Sequence, residues 1–142
     1  MNYKVVYFSR TGTSKRVANK IADKLSCETV EINDYMNWKG LIGFIKGGYY
    51  ASRNKEIEIS LSGSVENSDE IVLVTPLWAG GPAPAVKSFL KKFPSDKVHL
   101  VVTSKGSTIK NHSSGYKSVT SIVGSNHNED SAIEDLISNL SK

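Results

Sequence analysis

Strand-like and helix-like segments alternate along this chain from its first residues to its last. Short runs of β-branched, aromatic and other apolar residues are typical of buried strands, and apolar residues at helical spacing indicate amphipathic helices. Strands that alternate with helices favour a parallel sheet with helices on both faces. The sequence therefore predicts one domain over residues 1–142, an α/β three-layer sandwich with a five-stranded parallel sheet. The predicted strands cover 3–8, 28–32, 70–74, 98–102 and 119–123, and the predicted helices cover 14–25, 37–50, 85–93 and 131–140.

Three segments fit this alternation less well. Residues 57–61 alternate apolar and polar side chains, which is typical of an edge strand or of an extended connector. Four glycines within 37–50 each cost the helix up to about 1 kcal/mol relative to alanine, so a short or frayed helix is expected there. Residues 103–118 are just long enough for a parallel crossover but show no helical stripe, which indicates a mostly irregular connection.

The charge is a mild basic excess, because 18 basic and 14 acidic residues give the 142-residue chain a net charge of +4. The chain has no zinc-finger, RRM, KH or basic-zipper pattern, so no nucleic-acid partner is expected and the lysines are interpreted as a solvated surface. The charges are unevenly distributed. Four basic residues crowd one early segment and four acidic residues lie near the end: Lys15, Arg16, Lys20 and Lys24, then Glu129, Asp130, Glu134 and Asp135.

Three observations bear on the compartment. The first residues do not resemble a signal peptide, and no apolar stretch reaches the roughly 18 residues that span a bilayer. A single cysteine, Cys27, cannot form an internal disulfide and is interpreted as a small buried side chain. We therefore expect a cytoplasmic protein with no membrane partner.

His99, His112 and His127 lack metal-ligand spacing, so no metal site is expected.

A segment rich in hydroxyl groups follows the first predicted strand and leads directly into the first helix. It offers four hydroxyl groups, a glycine and the free N–H groups of a helix start, which together suit a phosphate. The alternative is an ordinary turn in which Thr13 or Ser14 caps the helix. The segment consists of Ser9, Arg10, Thr11, Gly12, Thr13 and Ser14.

Two further predicted strand ends carry loops of similar character. In an open parallel sheet, ligands bind beyond the carboxyl ends of the strands. Trp78 lies after the third strand, and its ring suits stacking on a flat aromatic ligand, although most tryptophans pack on a core. The second loop begins Thr75, Pro76, Leu77, Trp78, Ala79 and Gly80, and the third comprises Thr103, Ser104, Lys105 and Gly106.

These loops resemble those of the short-chain flavodoxins. The phosphate loop of that family has the form Ser/Thr-x-Thr-Gly-x-Ser/Thr, and the fixed positions match Ser9, Thr11, Gly12 and Ser14. Residues 75–84 resemble the second flavin loop of the family. The resemblance implies a sheet of order 2-1-3-4-5, non-covalently bound FMN, and the transfer of one or two electrons between redox partner proteins.

The resemblance also implies a role for each loop. Residues 9–14 would hold the FMN phosphate, with Arg10 or Lys15 adding charge. Trp78 would cover one face of the isoalloxazine ring, and the backbone near Ala79 and Gly80 would meet its N5 edge. Residues 103–106 would bond the pyrimidine edge through main-chain groups.

The chain departs from the family pattern in three respects, one of which is the short connection over residues 103–118 before the fifth strand. Flavodoxins usually carry an aromatic ring in the third loop, and residues 103–107 contain none. Tyr116 or His112 could fold back to supply the ring, or that face of the flavin could lie open. Flavodoxins are also typically acidic, which steers them to basic reductases, and a chain of charge +4 would not be steered in that way.

Three functions remain open at this point. The first is an FMN-dependent electron carrier, expected as a monomer or weak dimer that meets redox partner proteins. The second is an FMN-dependent NAD(P)H or quinone reductase with an exposed flavin face. The third is a binding module of the same fold that has lost its cofactor.

Overall fold

The computed structural model describes residues 2–9, 12–34, 59–65, 68–78, 81–106, 115–124 and 127–140. The strands are β1 (Tyr3–Tyr7), β2 (Thr29–Asp34), β3 (Ile59–Leu61), β4 (Glu70–Trp78), β5 (Gly81–Pro82), β6 (Val98–Ser104) and β7 (Ser118–Val123). The helices are α1 (Thr13–Leu25), α2 (Pro84–Leu90) and α3 (Glu129–Leu140), and a 3-10 turn covers Ser95–Lys97. Within these ranges, no helix combines the length and the apolar character needed to cross a membrane.

The strands form one sheet in the order β3-β2-β1-β4-β6-β7, with β5 paired to β4. β2, β1, β4, β6 and β7 are mutually parallel, which is the order 2-1-3-4-5 when only parallel strands are numbered. The predicted topology is therefore confirmed. β3 pairs antiparallel to β2, so the described part of the segment 57–61 is an edge strand.

Helices pack on both faces of the sheet, as predicted. α1 and α3 cover one face, where Val17 and Ile21 of α1 and Ile133 of α3 are buried against the strands. α2 covers the other face, where Val86 and Phe89 are buried. The predicted apolar stripe of α1 is thus confirmed, because its 3.6-residue spacing places these side chains on a single face of the helix.

Two strands extend into segments that were predicted to be loops. β4 continues to Trp78, and residues 71–76 pair in parallel with residues 98–103 of β6. Gly81 and Pro82 then turn back and pair with the end of β4. Proline and glycine normally indicate a turn, but here the ladder with β6 extends as far as Pro76, opposite Thr103, before the chain reverses. The third predicted loop likewise begins inside β6, which runs to Ser104.

Other boundaries differ less. α2 ends at Leu90, three residues before the predicted end, where the N–H groups of Lys91 and Lys92 donate to the carbonyls of Ser88 and Phe89 and tighten the last turn. In the connection between β6 and β7, residues 105–106 and 115–117 are not helical, as expected of an irregular link. The predicted helix over 37–50 lies outside the described residues.

A buried polar network joins the amino-terminal ends of three strands. His99 Nε2 is 2.7 Å from Glu70 Oε1, and His99 Nδ1 is 2.8 Å from Ser118 Oγ. Lys117 Nζ lies 3.1 Å from Glu70 Oε2. Glu70 and His99 are both buried. The network therefore joins the amino-terminal ends of β4, β6 and β7, which lie at the opposite end of the strands from the three predicted loops.

The pKa of Glu70 gives this network a pH dependence. Burial alone would raise that pKa, but the hydrogen bonds with His99 and Lys117 lower it overall. A carboxylate whose pKa is lower in the folded chain stabilises it above the unfolded value of about 4.3. That contribution is lost as the pH falls through the folded value.

We expect Glu70→Gln to lower the free energy of unfolding by about 1–3 kcal/mol at neutral pH, because it removes the charged partner of a buried network. Urea unfolding measures the difference, which should shrink below about pH 4. Glu134→Gln is the control, since the ion pair of Glu134 with Lys24 is exposed and worth less than about 1 kcal/mol. An equal loss in the two variants at neutral pH would contradict the prediction.

Candidate functional site

The turn between β1 and α1 is closed by Ser9 and Gly12. Gly12 is the N-cap of α1 and has φ of 96°, a left-handed conformation that favours glycine. The N–H of Gly12 donates a hydrogen bond to Ser9 Oγ at 2.9 Å. The alternative in which Thr13 or Ser14 caps the helix is wrong, because the helix begins at Thr13 and Gly12 has no side chain to offer. Arg10 and Thr11 lie outside the described residues.

The amino-terminal end of α1 suits an anion. The first N–H groups of a helix have no partner within it, and the aligned peptide dipoles make this end positive. Among the described residues, no side chain caps this helix, and its first turn contains no acidic residue. An anionic group placed here would therefore receive hydrogen bonds from the backbone of the first turn.

Ser14 and Thr103 connect the first loop to the third. Their hydroxyl oxygens lie 3.1 Å apart, and both residues are buried. The pair joins the first turn of α1 to the carboxyl end of β6, although the residues are 89 positions apart. One hydrogen-bonding position of each hydroxyl is thus used inside the protein, and the pair fixes the spacing between the two loops.

Thr75 has a similar internal role in the second loop. Its hydroxyl donates to the carbonyl of Pro76 at 3.0 Å and accepts from the N–H of Ala83 at 3.2 Å. The residue is fully buried, so its side chain holds the hairpin against the start of α2. The backbone of Trp78 ends β4, while its side chain, together with Ala79 and Gly80, lies outside what the structure describes.

The third loop begins at the end of β6. Ser104 is half-buried, and Lys105 and Gly106 are exposed beyond it. Because β1, β4 and β6 are adjacent and parallel, the three predicted loops start at one edge of the sheet. The sequence-predicted residues that the structure describes are therefore brought together.

Tyr116 does not supply the missing ring of the third loop. It precedes β7, and Lys117 beside it donates a backbone hydrogen bond to the carbonyl of Val98, the first residue of β6. Tyr116 thus lies at the amino-terminal ends of the strands, away from the third loop, and packs against the core under α2. Of the alternatives left open, a Tyr116 ring folded back onto the third loop is therefore ruled out, and His112 lies outside the described residues.

The two charge clusters noted in the sequence meet between α1 and α3. Arg16 Nη2 is 2.6 Å from Glu129 Oε1, and Lys20 Nζ is 2.6 Å from Glu129 Oε2. Lys20 also reaches Asp130, and Lys24 reaches Glu134. The hydrogen bond from Arg16 is the largest cause that lowers the pKa of Glu129 to about 2. The basic residues of α1 are therefore largely ion-paired, which sequence reasoning missed although the complementary clusters were visible.

A cleft of about 350 Å³ lies beside the first loop, at the same edge of the sheet. Thr13 and Arg16 line it from α1, Thr103 and Gly124 from the strand ends, and residues 127–130 from the start of α3. Neither the cleft nor its charged wall was predicted from the sequence.

Cys27, interpreted from the sequence as a small buried side chain, is only half-buried. It packs against the core under α1 and α3, and burial raises the pKa of its thiol. In the described part of the chain, no group of three or more His, Cys, Asp or Glu side chains is placed to hold a metal ion.

No protein-family model matches the chain. A protein of Archaeoglobus fulgidus whose function is uncharacterised is 26% identical over 117 residues, which cover 79% of this chain and 72% of that protein.

Solved structures resemble the chain over nearly its whole length. A flavoprotein of Lactobacillus acidophilus, in complex with FMN, has a TM-score of 0.65 at 22% identity and covers 92% of this chain and 97% of its own. Flavoprotein candidates from Bacteroides eggerthii and Bacteroides uniformis have TM-scores of 0.72 and 0.69 at 18% and 20% identity. These two matches cover 99% and 95% of this chain, and 98% and 97% of the matched Bacteroides chains. The chain therefore has a flavodoxin-like fold.

The Ser14–Thr103 pair can be tested by a double-mutant cycle. We expect Thr103→Val to lower the free energy of unfolding by about 1–3 kcal/mol, because it leaves the Ser14 hydroxyl buried without a partner. Ser14→Ala with Thr103→Val should cost less than the sum of the two single variants, since both hydroxyls are then absent. Denaturant unfolding measures all four proteins. Strict additivity would show that the hydroxyls do not interact.

The left-handed conformation of Gly12 gives a second stability prediction. Its surroundings leave room for a methyl group, so the cost of Gly12→Ala is conformational, about 1–2 kcal/mol. Gly124→Ala is the matched control, because Gly124 has no positive φ and an added Cβ would make only ordinary contacts. Thermal or denaturant unfolding compares the two variants. Equal stabilities would contradict the prediction.

Proposed function

We propose that this chain binds FMN non-covalently at the carboxyl edge of its sheet and carries electrons between redox proteins. The observation that carries the proposal is the uncapped start of α1, which follows the turn closed by Ser9 and Gly12. This anion-binding turn lies beside the loops after β4 and β6, where ligands of open parallel sheets bind.

The described residues fit FMN by their chemistry. A helix start without a side-chain cap leaves backbone donors for a phosphate group, and Ser9 keeps its own hydroxyl proton available while it accepts from Gly12. The flavoprotein of Lactobacillus acidophilus shares the fold and is in complex with FMN. That likeness supports the choice of FMN over other phosphorylated aromatic ligands.

Each loop has a role in this proposal. Ser9, Gly12, Thr13 and Ser14 hold the phosphate, with Arg10 and Thr11 completing the turn. Trp78 covers one face of the ring system, beside Thr75, Pro76, Leu77, Ala79 and Gly80. Thr103, Ser104, Lys105 and Gly106 bond the pyrimidine edge through their main chain. Bound FMN supplies one- or two-electron chemistry, while the residues of this chain bind it, orient it and exclude water.

The proposed partners are redox proteins in the cytoplasm. The chain has a net charge of +4, so electrostatic steering favours partners with an acidic contact surface. An FMN-dependent NAD(P)H or quinone reductase is the second candidate. It is favoured by the absence of an aromatic ring in Thr103–Gly106, which would leave one flavin face more open to a small acceptor.

Flavin titration tests the binding proposal. We expect the apoprotein to quench FMN fluorescence in a 1:1 complex and to bind riboflavin at least about tenfold more weakly, because charged hydrogen bonds contribute about 1.5–3 kcal/mol. Ser9→Ala should weaken FMN binding and leave riboflavin binding nearly unchanged.

Ser62→Ala is the matched control, because Ser62 Oγ also accepts a backbone hydrogen bond, from Glu31, but lies near β3. It should leave FMN binding unaltered. If the wild-type protein neither quenches FMN nor retains it, the proposed function is wrong.

A steady-state assay separates the carrier from the reductase. We expect the FMN-loaded protein to oxidise NADPH only when a separate reductase is added, because a carrier receives its electrons from another protein. The measurement is NADPH absorbance with a quinone or ferricyanide acceptor, and free FMN serves as the control. Sustained turnover by the loaded protein alone would favour the reductase.

A further inference from the structure

Thr103 is a fixed point of the sheet beside the start of α1. It lies in β6 between two partner strands, opposite Pro76 of β4 and opposite Ile122 of β7. Thr103 is buried, and its β-branched side chain has few rotamers available. The sheet, and not the loop that follows β6, therefore sets the position of the Thr103 hydroxyl.

The start of α1 carries the backbone donors of the candidate site. The N–H of Arg16 is the first that donates within the helix, to the carbonyl of Gly12 at 3.0 Å. The N–H groups of residues 13–15 have no acceptor among the residues that the structure describes. An anionic group at this turn would use these donors, so their directions decide how well they meet it.

The Ser14 side chain joins the sheet to these donors. Its Oγ lies 3.1 Å from Thr103 Oγ1, and Ser14 is only 2% exposed, so its hydroxyl is turned into the protein. A buried hydroxyl without a partner is costly, which favours the one orientation of Ser14 that keeps this hydrogen bond. Because Ser14 belongs to the first turn of α1, the bond also orients the N–H groups of that turn.

We propose that Thr103 is a positioning residue for the phosphate of FMN, acting through Ser14 on the donors of the first turn. The inference rests on the proposed function, because it requires an anionic group at the turn. Ser14 then meets the phosphate through its backbone N–H, while its hydroxyl stays on Thr103. The third loop thus contributes to phosphate binding through a side chain, in addition to the main-chain contacts with the ring.

This arrangement distinguishes FMN from riboflavin. Riboflavin has the same ring system and ribityl chain but no phosphate, so it makes no use of the first-turn donors. A hydrogen bond to a charged group depends on its distance and angle, so a displaced set of donors weakens FMN binding selectively. A general loss of stability or of loop order would weaken the binding of both flavins alike.

Fluorescence titration of the full-length apoprotein with FMN and with riboflavin tests the inference. Thr103→Val keeps the shape of the side chain and removes its hydroxyl. We expect it to weaken FMN binding about tenfold, the effect of roughly one hydrogen bond to a charged group, and riboflavin binding by no more than about twofold. Thr103→Ser restores the hydroxyl and should bind FMN within about twofold of the wild-type protein.

Ser14→Ala separates positioning from direct contact. If the Ser14 hydroxyl acts only with Thr103, Ser14→Ala should lower the ratio of FMN to riboflavin affinity no more than Thr103→Val does. The double variant should then bind FMN no more weakly than the weaker single variant. A further loss of FMN affinity when Ser14→Ala is added to Thr103→Val would show that the hydroxyl contacts the phosphate directly, and would overturn the inference. Should Thr103→Val not fold, Ser14→Ala and Thr103→Ser still provide the comparison.

Ser118→Ala is the matched control. Ser118 Oγ lies 2.8 Å from His99 Nδ1, at the amino-terminal ends of the strands. The change removes one hydroxyl hydrogen bond of the sheet without touching the turn, so the ratio of FMN to riboflavin affinity should stay unaltered. Denaturant unfolding confirms that each variant is folded under the conditions of the titration.

The outcomes separate the two proposals. A fall in the ratio of FMN to riboflavin affinity in Thr103→Val, restored in Thr103→Ser and absent from Ser118→Ala, supports Thr103 as a positioning residue. An unchanged ratio in Thr103→Val, or an equal loss of both affinities, would overturn this inference while the proposed function stands. If neither flavin binds the wild-type protein, both proposals fail.

Discussion

The parallel ladder between β1 and β4 is the interaction on which the rest of the molecule depends. It runs from Tyr3 opposite Glu70 to Tyr7 opposite Val74, and Val5 and Val72 are completely buried. β2 lies on the other side of β1, so the chain changes direction across the sheet between these two strands. Such a reversal separates the helices that follow and leaves a crevice at the carboxyl ends. The position of the candidate site follows from this pairing.

Two polar clusters lie on the same face of the sheet, one at each end of its strands. Ser14 and Thr103 lie at the carboxyl edge, and the network around His99 and Glu70 lies at the amino edge. Buried hydroxyls and carboxylates are costly unless they are hydrogen-bonded, so each cluster favours one register of β6 against its neighbours. The apolar side chains between the clusters provide most of the buried surface, and the clusters fix the register of the strands.

Much of the fold could be predicted from sequence because it is written in local periodicity. The spacing of Val17 and Ile21 identifies the buried face of α1, and the apolar run from Ile71 to Val74 identifies a central strand. The order of the parallel strands follows from the flavodoxin resemblance of the loop at Gly12. The turn after Tyr7 could also be placed, since glycine and hydroxyl side chains indicate a helix start.

The features that could not be predicted depend on partners distant in sequence. Nothing local to Ser14 indicates Thr103, and nothing local to Arg16 indicates Glu129. The length of β4 was underestimated because Pro76 normally marks a turn, whereas the ladder with β6 outweighs that preference here. Tyr116 was given a possible place in the third loop because the sequence does not show that its neighbour Lys117 pairs with Val98, at the opposite end of β6 from that loop.

The seam between α1 and α3 also bears on how the chain behaves before it is complete. Arg16, Lys20 and Lys24 meet carboxylates that lie 109 to 113 positions further along the chain. The ribosome synthesises these basic residues long before their acidic partners, so the ion pairs can form only once α3 has been made. Docking of α3 supplies the missing carboxylates, so a fragment without α3 would leave these three cations unpaired on the surface of α1.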